Sequence, residues 1–345
     1  MKKHLIFVII IVAVIFVAAF SVWSIFMPVA DGRQIDSQTR EVFFNVEKGD
    51  GSRDIALNLE KEKLISWGPL FRIYVLFKGI AGELKAGQYL LSPSMNIPQI
   101  AEKLFQGEVL KEKITVIEGW NLKDISWYFE NKGMFLVEEV RQIAAKDFSG
   151  DFDFLADKPA EASLEGYLFP DTYEIRKEES LEDIVGRMLN NFDKKLTVDL
   201  REEIKKQEKS IFKIITMASL IEKEVRTPAD KRLVSGILWK RLAINMPLQV
   251  DATIAYILGI GTGSWDFDEM RKEVALQKEI DSPYNTYKYR GLPLGPIANP
   301  GLESIKASIY PEDSDYWYYL STAGGQTFFS ETLTDHNIKK AEYLR

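Results

Sequence analysis

Cysteine is absent from all 345 residues, which excludes disulfide frameworks, thiolate catalysis and cysteine metal sites. Histidine occurs only twice. His4 precedes a long apolar run, so His336 stands alone and a multi-histidine metal centre is excluded as well. A resident metal would need oxygen ligands. The four aspartates Asp147, Asp151, Asp153 and Asp157 lack EF-hand spacing and read as a solvated linker. Positive charge is in deficit, 44 basic against 51 acidic residues, and a net charge of −7 disfavours a nucleic-acid-binding surface. Neither a metal nor a cofactor is expected. What the chain does have is 46% hydrophobic and 12% aromatic residues, enough for an apolar leader and more than one packed unit.

Leu5 to Met27 carries no charge and follows Lys2 and Lys3. As a helix this run would be roughly 34 Å long against a bilayer core of about 30 Å, so a transmembrane helix is expected at 5–27. The flanking lysines predict a cytoplasmic tail at 1–4 and an extracytoplasmic remainder. Residues 28–40 are polar and unpatterned, a linker.

From Glu41 the pattern predicts a strand at 42–46, a glycine turn, helices at 52–63 and 69–77, a strand at 84–91 and a helix ending near Gly107. The block Val46-Glu47-Lys48-Gly49 with Arg53-Asp54-Ile55 returns 70 residues later as Val116-Ile117-Glu118-Gly119 with Lys123-Asp124-Ile125. Duplication of a small α+β module accounts for this, and so would common punctuation of strand-turn-helix units.

The most strongly patterned stretch is Ser210 to Asp251. Ile211, Ile214, Ile215, Ala218 and Ile221 keep helical spacing after a serine at the N-cap position. Pro228 ends that helix near Arg226, and Thr227-Pro228-Ala229-Asp230 opens a second one through about Leu242. Glu222 and Glu224 therefore sit near the end of a mostly buried helix, where an acid can face a cleft. They lie about 200° apart around the helix, so periodicity alone does not choose between them. Glu222 would otherwise pair with Arg226 at the helix end. Asp251 stands where a cap is expected for a short helix ended by Gly259. Gln249, Tyr284, Asn285 and Tyr287 carry amide and phenol groups suited to sugar hydroxyls. His336 beside Asp335 is expected to cap or pack.

Between Gly291 and Gly301 three prolines and three glycines in eleven residues predict a stiff loop. A strand at 315–321, a Gly324-Gly325 turn, a strand at 327–330 and a helix from Thr334 follow, with the strands forming an antiparallel hairpin.

Five blocks together, SLEGYLFPDTYEI, ASLIEKEV, RLAINMPLQVDATIAYILG, SPYNTYKYRGLPLGPIANPG and TFFSETLTDHN, resemble the endolytic murein transglycosylases, the YceG-like family. The resemblance runs from about residue 41 to the end. It implies an α+β chain with a transmembrane helix, a LysM-like module at 41–110 and a mixed α+β catalytic domain at 111–345. It also implies a membrane-anchored enzyme, facing outward, that cleaves nascent peptidoglycan strands internally and leaves 1,6-anhydro-N-acetylmuramic ends. Peptidoglycan synthases and the division or elongation machinery are the implied neighbours. By motif the catalytic glutamate falls on Glu222, with Glu224, Gln249, Asp251, Tyr284, Asn285 and Tyr287 in binding or supporting roles. The block around Asp251 departs from the family pattern in having Val250 before the aspartate and Ala252 after it. A non-catalytic peptidoglycan-binding anchor or scaffold is the alternative.

Overall fold

The computed structural model describes residues 23–29, 41–177, 179–260 and 267–343. In chain order the elements are β1 (Val42–Val46), α1 (Ser52–Lys61), α2 (Gly68–Phe77), β2 (Gly87–Leu91), α3 (Ile97–Gln106), β3 (Lys111–Thr115), α4 (Leu122–Asn131), α5 (Val137–Ala144), β4 (Thr172–Arg176), α6 (Leu181–Lys195), α7 (Val198–Lys206), α8 (Ile211–Glu224), α9 (Pro228–Ala243), α10 (Asp251–Ile257), α11 (Phe267–Leu276), α12 (Leu302–Ile309), β5 (Tyr318–Ser321), β6 (Thr327–Ser330) and α13 (Leu333–Tyr343). The strands pair as three two-stranded sheets, β1 with β2, β3 with β4, and β5 with β6. The architecture is mixed α+β with a C-terminal hairpin, as expected. The expected transmembrane helix needs correction. Among the described residues no helix is long and apolar enough to cross a membrane, and residues 1–22, which hold most of the run, lie outside them. Most of the 28–40 linker lies outside them too.

Contacts divide the chain into one compact unit reaching to Lys113, with Glu174–Glu179, and a second made of Ile114–Tyr173 and Ser180 onward. In the first unit β1 and β2 run antiparallel with Phe44 opposite Tyr89. Strand alternation turns Phe44, Val46, Tyr89 and Leu91 inward, where they meet Leu59, Phe71 and Leu104 from the helices. The order within it is strand, two helices, strand.

The 70-residue echo has a structural counterpart. Asp54 accepts from the Gly51 backbone N–H at 3.3 Å, and 70 residues on Asp124 accepts from the Asn121 N–H at 3.1 Å. Each acid accepts from the N-cap N–H at the start of a helix that follows a glycine turn, with Gly49 and Gly119 both at positive φ. The second copy has the better cap, because the Asn121 side chain also accepts from the Asp124 N–H at 3.0 Å.

The second unit is built around α8. Ser210 caps it, accepting from Lys213 N–H at 3.1 Å, and Ile214 through Ile221 are all buried. The helix ends at Glu224, two residues before the expected point, because Val225 is already extended. Thr227 then caps α9, as its place before Pro228 predicts. Residues 164–170 form a buried turn segment that leads into β4.

Candidate active site

The two acids at the end of α8 leave the helix on different sides and enter different surroundings. Glu222 points toward α9 and α12. Lys231 of α9 lies 3.1 and 3.2 Å from its two carboxylate oxygens, and the Glu222 and Lys231 side chains are only 8% and 5% exposed. The Gly301 N–H and the Ser304 hydroxyl donate to the same carboxylate at 3.0 and 2.6 Å. Gly301 is the N-cap of α12 and has no side chain to satisfy its first turn. Glu222 instead takes the N-cap N–H from another helix and sets its negative charge at the N-terminus of α12, with Lys231 balancing it. The i+4 pairing with Arg226 does not arise. Glu118 presses on the same place, its carboxyl raised by burial and then by Glu222. A Cβ on Gly301 would sit 2.0 Å from a Glu118 oxygen, so a side chain there would displace the Glu118 carboxyl.

Glu224 turns toward α10 and β5. Burial, then the neighbouring Asp251 carboxylate, push its carboxyl up to about 7. The Tyr319 hydroxyl and the Ala252 N–H donate to it, and Arg241 supplies a more distant positive charge; these three only partly offset the rise. It is a carboxylic acid that holds its proton near neutrality, the property asked of a general acid.

Asp251 was expected as a cap. It is instead the first helical residue of α10, Val250 is the N-cap without a side-chain bond, and the carboxylate turns elsewhere. It accepts from the Tyr287 hydroxyl and pairs with Lys278 at 3.4 Å, and its side chain remains 50% exposed. Lys278 also donates to the Tyr287 oxygen at 2.9 Å. Asp251, Tyr287 and Lys278 thus form one hydrogen-bonded group beside the Glu224 carboxyl.

The other expected residues divide sharply. Asn285 is 1% exposed, and its amide is fully occupied by backbone. It donates to the Lys278 and Ile280 carbonyls at 2.9 and 2.8 Å and accepts from the Tyr287 and Lys288 N–H groups at 2.9 and 3.2 Å. It shapes the loop that carries Tyr287 and has no donor left for a sugar. Gln249 adopts a left-handed φ of 55°, and its N–H reaches the Thr286 carbonyl at 3.1 Å. The next residue continues the tie, Val250 N–H to the Thr286 hydroxyl at 3.0 Å. Tyr284 packs its ring on Tyr256 with centroids 5.0 Å apart and belongs to the core beside α8.

The stiff 291–301 loop is more internal than a glycan platform would be. From Gly295 to Gly301 it is buried, held to α8 where Ile297 N–H reaches the Ser219 hydroxyl at 3.0 Å. His336 stacks on Tyr318, 5.5 Å between ring centroids, in a packing role.

Three contributors escaped the sequence reading. Arg241, 5% exposed, donates to the Trp317 carbonyl at 2.9 and 2.6 Å and to the Leu248 carbonyl at 2.8 Å, joining the approach to β5 with the segment before α10. Tyr319 reaches Glu224 from the hairpin, which only the β5 register reveals. Glu165 is 4% exposed, and burial raises it to about 8. Leu122 N–H donates to it at 3.1 Å, with Tyr256 and Asn299 at 3.4 Å. Its only sequence signal is its place inside the SLEGYLFPDTYEI block.

A model of the YceG-like family matches residues 44–342. The endolytic murein transglycosylase of Bacillus subtilis (strain 168) is 35% identical over 325 residues, covering 90% of this chain and 86% of that protein. Its namesake in Streptococcus pneumoniae (strain ATCC BAA-255 / R6) is 30% identical over 338 residues, covering 90% of this chain but 60% of that longer protein. Among solved structures, a YceG-like protein from Listeria monocytogenes matches with a TM-score of 0.58 at 33% identity, covering 88% of this chain and all of that one. The match spans both units and every residue of the site, and the chain is a member of the YceG-like family.

Proposed function

We propose that this protein is an endolytic lytic transglycosylase of peptidoglycan, with Glu224 as its general acid and then its base. The observation that carries the assignment is the contrast between the two acids of α8. Glu222 is committed to Lys231 and to the N-terminus of α12, whereas Glu224 is a half-buried carboxyl with no cation paired to it among the described residues and its pKa raised to about 7. The motif alone favours Glu222, and geometry favours its neighbour two residues on. The relatives' names supply the substrate class, the glycan of the cell wall.

The reaction asks little of the protein. Glu224 delivers its proton to the glycosidic oxygen as the bond from the muramic C1 breaks. The substrate's own C6 hydroxyl closes onto C1 and returns its proton to Glu224, so a 1,6-anhydro end forms and no water is consumed. A hydrolase would need a second carboxyl to activate water. The first unit, with its strand-helix-helix-strand order, is read as a LysM-like module that holds glycan without cleaving it. The place of action follows the substrate, outside the cytoplasm.

Digestion of purified glycan in ¹⁸O water, followed by mass spectrometry, tests the mechanism. Anhydro ends without label are expected. Reducing ends carrying ¹⁸O would overturn the transglycosylase reading, and absence of any cleavage would favour a non-catalytic wall anchor.

A further inference from the structure

Beside the proposed acid lies a second carboxylate with an opposite environment. Glu224 is half-buried under Tyr319, whereas the Asp251 side chain is half open to solvent. Two groups hold the Asp251 carboxylate, the Tyr287 hydroxyl that donates to it and the Lys278 ammonium at 3.4 Å. Asn285 fixes the loop that delivers both, through the Lys278 carbonyl and the Tyr287 N–H. The Ala252 N–H, one residue along the backbone, donates to Glu224. The two carboxyl groups are therefore held side by side through one peptide unit, one half-buried and one open.

We propose that Asp251 is the second catalytic carboxylate, an anion that faces the positive charge developing at the anomeric carbon while Glu224 transfers its proton. This rests on the reading of Glu224 as the acid. When the C1–oxygen bond breaks, its electron pair leaves with the oxygen that takes the Glu224 proton, and C1 becomes cationic. Asp251 stabilises that charge without forming a bond, and the C6 oxygen then closes onto C1. Asp251 takes up no proton in this step, so atoms and charge balance with no co-reactant. Separation of two neighbouring carboxyl groups into a protonated and an ionised member is a recurring way to divide such roles. Tyr287 and Lys278 act as positioning residues that hold the anion in place.

The groups facing Glu224 are Asp251 of α10, Arg241 of α9, Tyr287 of the 282–288 loop and Tyr319 of β5. Among them Asp251 is the anion that keeps Glu224 protonated, so its removal has a signature beyond lost rate. Asp251→Asn is expected to lower kcat by about 10²-fold with KM little changed, as loss of a transition-state electrostatic partner does. Its alkaline limb should move to lower pH, because Glu224 then ionises more readily. Lys278→Met should move that limb the other way, since the Asp251 charge is no longer balanced. Both variants are measured in the full chain, with Glu224→Gln beside them. Asp251→Asn within a few-fold of wild type, or limbs that do not move in opposite directions, overturns the proposal. If Asp251→Asn fails to fold, the Lys278→Met limb decides alone. An active Glu224→Gln would sink the underlying assignment instead, so the two failures are distinct.

Discussion

Glu222 and Glu224 are separated by two positions and by about 200° of helix, and that rotation puts one in an ion pair and the other beside the Asp251 carboxylate and the Tyr319 hydroxyl. Their glutamine variants should therefore part company. Glu224→Gln is expected to lose about 10²–10⁴-fold in rate while unfolding at the wild-type denaturant concentration. Glu222→Gln should leave Lys231 buried without its counter-charge and cost about 3 kcal/mol of stability, read as a lower urea midpoint. A stable but inactive Glu222→Gln would return the acid to the motif's first position. The pH profile belongs to the same residue. With Glu224 raised to about 7, the rate should fall as pH climbs through that value, because the proton donor is lost.

Glu165 makes a separate statement about stability. Its folded pKa of about 8 lies above the ordinary 4.5, so the folded state holds the proton more tightly than the unfolded chain. The stability this brings is fully present below 4.5 and is lost as pH rises through 8. Glu165→Gln should flatten that decline, seen by comparing unfolding midpoints of variant and wild type at pH 5 and pH 8. An unchanged slope would mean that the buried acid titrates normally.

At the scale of elements, most of the helix punctuation was legible in advance. Ser210, Thr227 and Pro228 announced the boundaries of α8 and α9, because capping is decided by residues next to each other in the chain. The first hairpin strand begins later than its pattern predicts, at Tyr318, where Trp317 gives its carbonyl to Arg241, while the second keeps its expected bounds at Thr327–Ser330. Asn285 shows the limit of such reading. Its composition suits a sugar, yet its partners are backbone groups of its own loop, which no periodicity discloses. Asn285→Ala should therefore behave as a loop-breaking variant. It would strand two carbonyls and two N–H groups and cost about 3 kcal/mol in urea unfolding. Activity should fall with it because Lys278 and Tyr287 lose their positions. A fully stable variant with only a raised KM would make Asn285 a substrate ligand after all.

For the whole molecule, the division into two units leads to a dissection experiment. A chain lacking residues 41–110 should still produce anhydro ends at high glycan concentration but retain glycan poorly in pull-down. Undiminished retention would remove the binding role from the first unit. The location is open to a simple test as well. A reporter fused after Arg345 should be active only outside the cytoplasm, and cytoplasmic activity would remove the protein from its substrate.

What the sequence by itself determined about this protein was local or cumulative: α+β character, caps and turns, the exclusion of thiol and multi-histidine chemistry, and five ordered blocks that together identify the family. These depend on neighbours along the chain or on many positions summed. Only the tertiary structure decided which acid is ion-paired and which has its pKa raised. That choice depends on Lys231 and Ser304 from α9 and α12 on one side of α8, and on Tyr319, Arg241 and Asp251 on the other. Desolvation, the largest influence on Glu224, arises from what the rest of the fold places around it.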